Sequence, residues 1–193
     1  MITNAHQSPR MKTGFTLVET LVAVAIITLA MVGPFEAVQN ALTASYIARD
    51  QAIATNLAQE GIEYVRNVRD SNYLYKLRNP GSNRTWLYRF DGTNAIGGSG
   101  GVTCITANGC MVDPTQDTTV VCPSGVCRPL NISSSYIYNQ SAASGTNIAT
   151  SFVRKVTLTT VSAYEKRVTV LVTWKTRSTT YSLTVTETLY NWL

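Results

Sequence analysis

The sequence predicts an α+β protein in which a long N-terminal helix packs on a C-terminal antiparallel β-sheet head. Residues 15–35 are almost continuously apolar, residues 38–68 repeat apolar side chains every three or four positions, and residues 168–185 alternate apolar and polar side chains. These patterns are typical of a membrane-spanning helix, an amphipathic helix and half-buried strands, respectively. The predicted segments are a leader at 1–14, an apolar half of the helix at 15–35, an amphipathic half at 36–70 and a head at 71–193.

The apolar segment is long enough to cross a membrane. Its 21 residues from Phe15 to Phe35 span roughly 31 Å as a helix, close to the ~30 Å thickness of a bilayer core. Arg10 and Lys12 precede it and the next basic residue is Arg49, so the positive-inside rule places the N-terminus in the cytoplasm. A secretory signal peptide fits poorly, because the apolar run is too long, contains a glutamate and lacks a clean A-x-A site.

Two features distinguish this segment from a simple signal anchor, which remains an alternative. Glu19 lies inside the apolar run, where a charge costs about 2.5–3.5 kcal/mol on insertion scales, so we expect it to have a function or a partner. Gly33 and Pro34 predict a break in the helix, because proline removes a backbone hydrogen bond and clashes with the preceding turn.

The residues from Lys12 to Glu19 read K-T-G-F-T-L-V-E. This run resembles the leader and cleavage site of type IV prepilins, K-x-G-F-T-L-[IV]-E. The resemblance implies that prepilin peptidase cuts between Gly14 and Phe15 on the cytoplasmic side of the membrane and that Phe15 becomes N-methylated. The leader would have fourteen residues, or four if Met11 is the true start, and the apolar helix would be kept.

Beyond Pro34 the helix is predicted to be amphipathic as far as about Asp70 and to pack on the strands of the head. The predicted apolar face consists of Val38, Leu42, Tyr46, Ile53, Leu57, Gly61, Tyr64 and Val68. Residues 54–66 also fit the pattern A-x-x-L-A-x-E-x-x-E-x-x-R, which resembles minor pilins of the I-type pseudopilin and V-type pilus protein group.

The head is predicted to be rich in β-structure. A strand is expected at Arg84–Phe90, followed late in the chain by a three-stranded antiparallel meander. Its strands are predicted at 152–161, 168–174 and 181–185, with links near Tyr164 and Arg177. Residues 91–150 are expected to be loop-rich, and they contain all four cysteines.

The cysteines have the spacings C-x5-C and C-x4-C, which favour disulfides over zinc because C-x2-C knuckles are absent and the chain leaves the reducing cytoplasm. A hairpin turn at Ala107–Cys110 and a type I turn at Cys122–Gly125 would fold each pair back on itself. They support Cys104–Cys110 and Cys122–Cys127, although two other connectivities stay open. Asp113 and Asp117 are too few carboxylates for a calcium site, so no metal or cofactor is predicted.

Composition argues against catalysis and nucleic-acid binding. The only histidine, His6, lies in the predicted leader, so the mature chain would lack Ser-His-Asp or Cys-His catalysis, and no enzyme activity is predicted. The net charge falls from +5 to +3 once Arg10 and Lys12 are removed, and the remaining basic residues form no dense stripe for phosphate binding.

The resemblance implies a structural subunit, a minor pilin or pseudopilin, of a type IV pilus or type II secretion-like filament. Its expected partners are prepilin peptidase, other pilin or pseudopilin subunits and the assembly machinery of the inner membrane. The chain is expected to be a single-pass inner-membrane protein with its head outside, and later part of an extracellular or periplasmic filament. The alternatives are the major pilin, or a tip adhesin or DNA-uptake receptor of the same family.

Overall fold

The computed structural model describes residues 14–92, 103–140 and 147–191. Arg10, Lys12 and the rest of the predicted leader up to residue 13 lie outside the described residues. The chain divides into two compact units, one ending at Ser45 and one beginning at Tyr46. The elements are α1 (Leu17–Arg78), β1 (Cys110–Asp113), β2 (Thr118–Val121), β3 (Pro129–Ile132), β4 (Tyr138–Asn139), β5 (Ile148–Thr160), β6 (Glu165–Thr176) and β7 (Thr179–Tyr190).

The N-terminal unit consists of the first part of α1. The predicted break at Gly33 and Pro34 is wrong, because α1 is continuous through both residues. Proline removes the one hydrogen bond that its own N–H would donate, while the bonds of the turns before and after it remain. In this structure Pro34 is therefore a locally weakened position inside an unbroken helix.

The strands among the described residues of the second unit form one antiparallel sheet. Strands β5, β6 and β7 form the predicted meander, with β5 paired to β6 from Val153 to Thr160 and β6 paired to β7 along its whole length. The other edge of β5 pairs with β3 near its start and with β1 at Val156. Strand β2 pairs with β1, and β4 pairs with β3.

The later part of α1 covers one face of this sheet, as predicted. The buried core combines apolar side chains of the helix with the inward-facing rows of β5 and β6. Its main members are Ala54, Leu57, Ala58, Ile62, Val65 and Val68 of α1, Phe152, Val156 and Leu158 of β5, and Val168, Val170, Val172 and Trp174 of β6. Because the helical contribution begins near Ile53, the compact unit needs helix residues that precede the expected head boundary at 71.

The predicted apolar face of α1 is buried only in part. Val38, Leu42 and Tyr46 are exposed, whereas Leu57, Tyr64 and Val68 are buried. The helix also continues to Arg78, beyond the predicted end near Asp70. The polar side chain of Asn72 explains part of this extension, because it is buried and donates a hydrogen bond to the carbonyl oxygen of Trp86 (3.3 Å).

The predicted strand at Arg84–Phe90 is wrong, because this segment forms successive turns. The N–H of Tyr88 donates to the carbonyl of Thr85, and the N–H of Phe90 donates to that of Leu87. Leu87 and Phe90 are fully buried, three residues apart. A spacing of three residues places both side chains in the core from a turn. A strand would instead need buried side chains at every second residue.

The region between α1 and the meander contains more regular structure than the predicted loops, since β1 to β4 all lie within it. Gly109 has the expected positive φ of 64°, and its N–H donates to the carbonyl of Thr106. The second turn differs from the predicted type I, because Ser124 has φ 48° and ψ 30° inside the short 3₁₀ segment Pro123–Gly125.

Candidate functional site

The start of α1 brings together the residues of the predicted processing motif. Gly14 and Phe15 precede the helix and are exposed. Thr16 acts as the N-cap, because its hydroxyl oxygen accepts a hydrogen bond from the backbone N–H of Glu19 (3.3 Å). Glu19 is therefore the third residue of the helix, where a carboxylate interacts favourably with the helix dipole.

The segment that follows is apolar and exposed. The residues from Phe15 to Leu42 are exposed in this structure, and Phe15 itself is 77% exposed. By length and composition, α1 is long and apolar enough to cross a membrane. Water is a poor solvent for such a surface, which is more stable against other apolar groups.

A buried arginine joins the helix to the sheet. Arg154 of β5 has no exposed surface, and its guanidinium donates to the carboxylate of Glu60 (2.5 Å). It also donates to the carbonyl oxygens of Leu57 (3.0 Å) and Val112 (2.8 Å). Three elements, α1, β1 and β5, are thus held by one side chain, because a buried charge has to be paired and hydrogen-bonded.

Further polar contacts fix α1 along the sheet. Arg66 donates to the carboxylate of Glu187 on β7 through two nitrogens, at 2.8 and 2.6 Å. This hydrogen bond raises the pKa of Arg66 above its usual value. The hydroxyl of Thr176 donates to the carboxylate of Asp50 (2.6 Å) near the other end of the contact. The register of α1 on the meander is therefore set by polar pairs as well as by the core.

Both disulfides predicted from the cysteine spacing are present. Cys104 is bonded to Cys110 and Cys122 to Cys127. The first links the turn after residue 103 to the start of β1, and the second closes the loop between β2 and β3. Cys104, Cys110 and Cys122 are fully buried, so the two bonds are part of the packed head.

Asp113 and Asp117 serve the fold. Asp113 accepts hydrogen bonds from Thr115 and from the N–H of Gln140, while the carboxylate of Asp117 pairs with Arg89. Tyr64 contacts both Asp117 and Arg89, and its burial raises its pKa above the usual value. Within residues 14–92, 103–140 and 147–191, no three histidine, cysteine or carboxylate side chains are grouped so that they could bind a metal ion.

Sequence reasoning missed Arg154 and the cap at Thr16, although both leave a signal. Arg154 interrupts an alternating row in which Phe152, Val156 and Leu158 all point inward, so a charge at an inward position was readable. Thr16 and Glu19 have the T-x-x-E spacing of a capping box. The partner of Arg154 was not readable, because Glu60 lies 94 residues away in the chain.

Comparison with known protein families gives a match at the N-terminus. Residues 9–33 match the family described as the prokaryotic N-terminal methylation motif. The match covers residues 12–19, where cleavage is predicted, and the first part of α1, and the head lies outside it. Neither the curated proteins nor the solved structures contain a significant match to the chain.

The motif and the fold together define a class of protein. A long apolar N-terminal helix that continues onto an antiparallel sheet is the α+β architecture of pilins, and the methylation motif is the type IV pilin-like signature. The N-terminal motif and the fold therefore support a type IV pilin-like protein. Its motif implies processing by prepilin peptidase and assembly with other pilin subunits.

Proposed function

We propose that the chain is a minor pilin or pseudopilin, a structural subunit of a type IV pilus or type II secretion-like filament. It is cut between Gly14 and Phe15, methylated at Phe15, held in the inner membrane by residues 15–35 with its head outside, and then assembled into the filament. The observation that carries this proposal is the methylation motif at residues 9–33, followed directly by an exposed apolar helix. Proteins of this class are generally structural rather than enzymatic.

The exposed helix supports a role in assembly. Within the described residues the side chains of the first unit from Phe15 to Leu42 are unburied, whereas the second unit has a complete core of its own. The apolar surface is therefore not needed to fold the head. It is available first to lipid and then to the helices of neighbouring subunits, which would remove the same surface from water.

Glu19 is the proposed register residue of this assembly. Cleavage after Gly14 leaves a positively charged amine on Phe15, and methylation retains the charge. An incoming subunit whose Phe15 amine meets Glu19 of a subunit already in the filament would neutralise both charges in apolar surroundings. Attraction is much stronger there than at a water-exposed surface, and an unpaired charge is heavily penalised.

The cap at Thr16 gives Glu19 a competing local role. As the third residue of α1, Glu19 stabilises the helix start through the dipole and the capping-box position, where glutamine serves as well as glutamate. The two roles differ in charge, because pairing with an amine requires a carboxylate. They can therefore be separated by substitution.

The test compares Glu19→Ala and Glu19→Gln in the native host. We expect both variants to be made, inserted and cleaved, and both to enter filaments at a small fraction of the wild-type level, because both lack the charge. The measurement is the amount of cleaved subunit in the membrane and in the sheared-filament fraction. Glu36→Gln is the matched control, since Glu36 is also an exposed acid of the first unit, and it should assemble normally.

Wild-type incorporation of Glu19→Gln would show that the capping role suffices and would refute the charge-pairing proposal. Wild-type incorporation of both variants would leave Glu19 as only a tolerated membrane charge. The minor role rests on the resemblance of residues 54–66 to minor pilins. It predicts that the chain is scarce relative to the main subunit of sheared filaments, whereas dominance of this chain would identify the major pilin.

A further inference from the structure

Strand β7 forms one edge of the sheet. It pairs with β6 through all twelve of its residues, and β6 is its only strand partner among the residues that the structure describes. The opposite side of β7 therefore presents backbone groups without a neighbouring strand. At twelve residues β7 is far longer than the other outer strands, β2 with four residues and β4 with two.

The pairing with β6 shows which backbone groups point outward. The two-residue loop Arg177–Ser178 connects Thr176 of β6 to Thr179 of β7. In a hairpin with a loop this short, these two flanking residues exchange both of their backbone hydrogen bonds. Because the register between β6 and β7 has no bulge, hydrogen-bonded and non-hydrogen-bonded residue pairs then alternate along the two strands. The N–H and C=O groups of the even-numbered residues point away from β6; these residues are Thr180, Ser182, Thr184, Thr186 and Thr188.

Edge strands are usually protected against pairing with other chains, and β7 lacks the usual devices. Proteins blunt an edge with proline, lysine, a bulge or an inward-pointing charge. Residues Thr179–Tyr190 contain no proline, lysine or arginine, and their register with β6 has no bulge. The one charge, Glu187, is paired with Arg66 of α1 and therefore does not guard the edge.

The side chains along this edge are sorted by face. Tyr181, Leu183 and Val185 point toward the helix side and are only half-buried, although they pack on the core. The opposite face of β7 carries the hydroxyls of the even-numbered residues. On that face Arg167 and Lys175 of β6 are exposed beside Thr188 and Thr180. An added strand would thus meet an apolar row on one face and hydroxyls near two cations on the other.

We propose that β7 is a docking edge for an extended segment of another protein, which adds to the sheet as an antiparallel strand. The segment alternates apolar residues, which cover Tyr181, Leu183 and Val185, with hydroxyl or acidic residues, which lie on the side of Arg167 and Lys175. Main-chain hydrogen bonds to the outward groups supply affinity, and the alternating side chains supply specificity.

A second copy of the chain is the other occupant of matching length, but its charges fit less well. The hydroxyl face of a second β7 carries no acidic side chain, because the one carboxylate of the strand, Glu187, lies in the same row as Leu183 and Val185 and is paired with Arg66. A second copy therefore brings no acid to Arg167 and Lys175, whereas a strand from a different protein can.

The test measures binding of a labelled twelve-residue peptide with the sequence of β7 to the purified full chain in detergent, by fluorescence anisotropy. This probe has the required alternation of apolar and hydroxyl residues. Saturable binding is expected. The same peptide N-methylated at the positions of Ser182, Thr184 and Thr186 loses the donors that face β7, so it should bind at least about tenfold more weakly. N-methylation at the positions of Leu183 and Val185 should leave binding intact.

Substitutions in β7 of the protein test the same backbone hydrogen bonds from the other side. Thr184→Pro removes one outward N–H, which an edge strand tolerates, and should weaken binding about tenfold, while Thr184→Val keeps the N–H and should bind normally. If Thr184→Pro does not fold, Leu183→Lys introduces the inward charge that edges use for protection. Absence of peptide binding, or equal binding by the two N-methylated peptides, would overturn the proposal. Self-association of the full chain that Thr184→Pro abolishes would assign the edge to a second copy instead.

Discussion

Arg154 is the residue on which the joint between helix and sheet depends most. Its side chain is fully buried, while its partner Glu60 is 35% exposed. Buried ion pairs add little net stability, but removing one partner leaves a charge without compensation. The pair therefore acts more as a fixed point of register than as a source of free energy.

We expect Glu60→Gln to lower the free energy of unfolding by about 1–3 kcal/mol, less than for a fully buried pair because Glu60 is partly solvated. The double variant Glu60→Gln/Arg154→Met should be more stable than Glu60→Gln alone, since no buried charge remains. Thermal unfolding of the purified full chain, followed by near-UV circular dichroism, provides the measurement.

Glu63→Gln is the matched control for this cycle. Glu63 lies one turn along the same helix, is 63% exposed and pairs with Arg66, so its loss should change the free energy of unfolding by less than about 0.5 kcal/mol. A double variant that is no more stable than Glu60→Gln would show that the buried charge is not the cause.

The tertiary structure gives a reason for Gly61 that the sequence does not. In the sequence it is a weak point of the helix, costing up to ~1 kcal/mol relative to alanine. In the structure an added Cβ would lie 3.2 Å from Cγ1 of Val170 and 3.3 Å from Cδ of Arg154. The glycine lets α1 approach β6 closely at the level of the buried arginine.

Among the elements, the loop between β2 and β3 depends on a covalent bond. Cys122 and Cys127 are five residues apart and join the strands across a turn in which Ser124 has a positive φ. The bond restricts the unfolded chain and holds this turn beside Met111. The disulfide therefore stabilises the head and makes no direct contribution to α1.

Replacing Cys122 and Cys127 together by serine should lower the free energy of unfolding by roughly 2 kcal/mol from loop-closure entropy, without affecting membrane insertion. Thermal unfolding of the full chain measures the loss, and non-reducing peptide mapping of the wild type checks the pairing. A map with four free thiols, or with Cys104 joined to Cys127, would contradict the assignment.

At the scale of the whole molecule, the two units have different requirements. Residues from Tyr46 onward form a compact unit with a buried core, whereas the residues before it present an exposed apolar helix. This division matches a subunit whose first part is meant for lipid or for other helices. The proposed cleavage after Gly14 would make Phe15 the first residue of that part.

We expect the mature chain to begin at Phe15 and to carry an N-methyl group, because Gly14 and Phe15 correspond to the cleavage position in the prepilin pattern that residues 12–19 resemble. Intact mass and N-terminal peptide mapping of the membrane protein measure both features. A Gly14→Leu variant should retain the leader and serve as the control. A mature chain that begins beyond Phe35 would indicate ordinary signal peptidase and contradict the filament proposal.

The sequence by itself determined the methylation motif, the membrane-length apolar segment and the meander of β5 to β7, and it favoured the short-range cysteine pairs that the structure contains. Each of these depends on neighbours within a few residues or on a local periodicity. Arg84–Phe90 was misread because the same apolar residues serve a strand or a pair of turns, and burial of Leu87 and Phe90 chose the turns.

Only the tertiary structure decided the partner of Arg154, the close approach at Gly61, the pairing of β1 with β5 and the position of β7 at an edge. The continuity of α1 through Pro34 was also decided there. The first four depend on residues far apart in the chain, such as Glu60 and Arg154, whose meeting follows from how the elements pack. Local sequence patterns do not contain that information, because these contacts form only when segments far apart in the chain pack against each other.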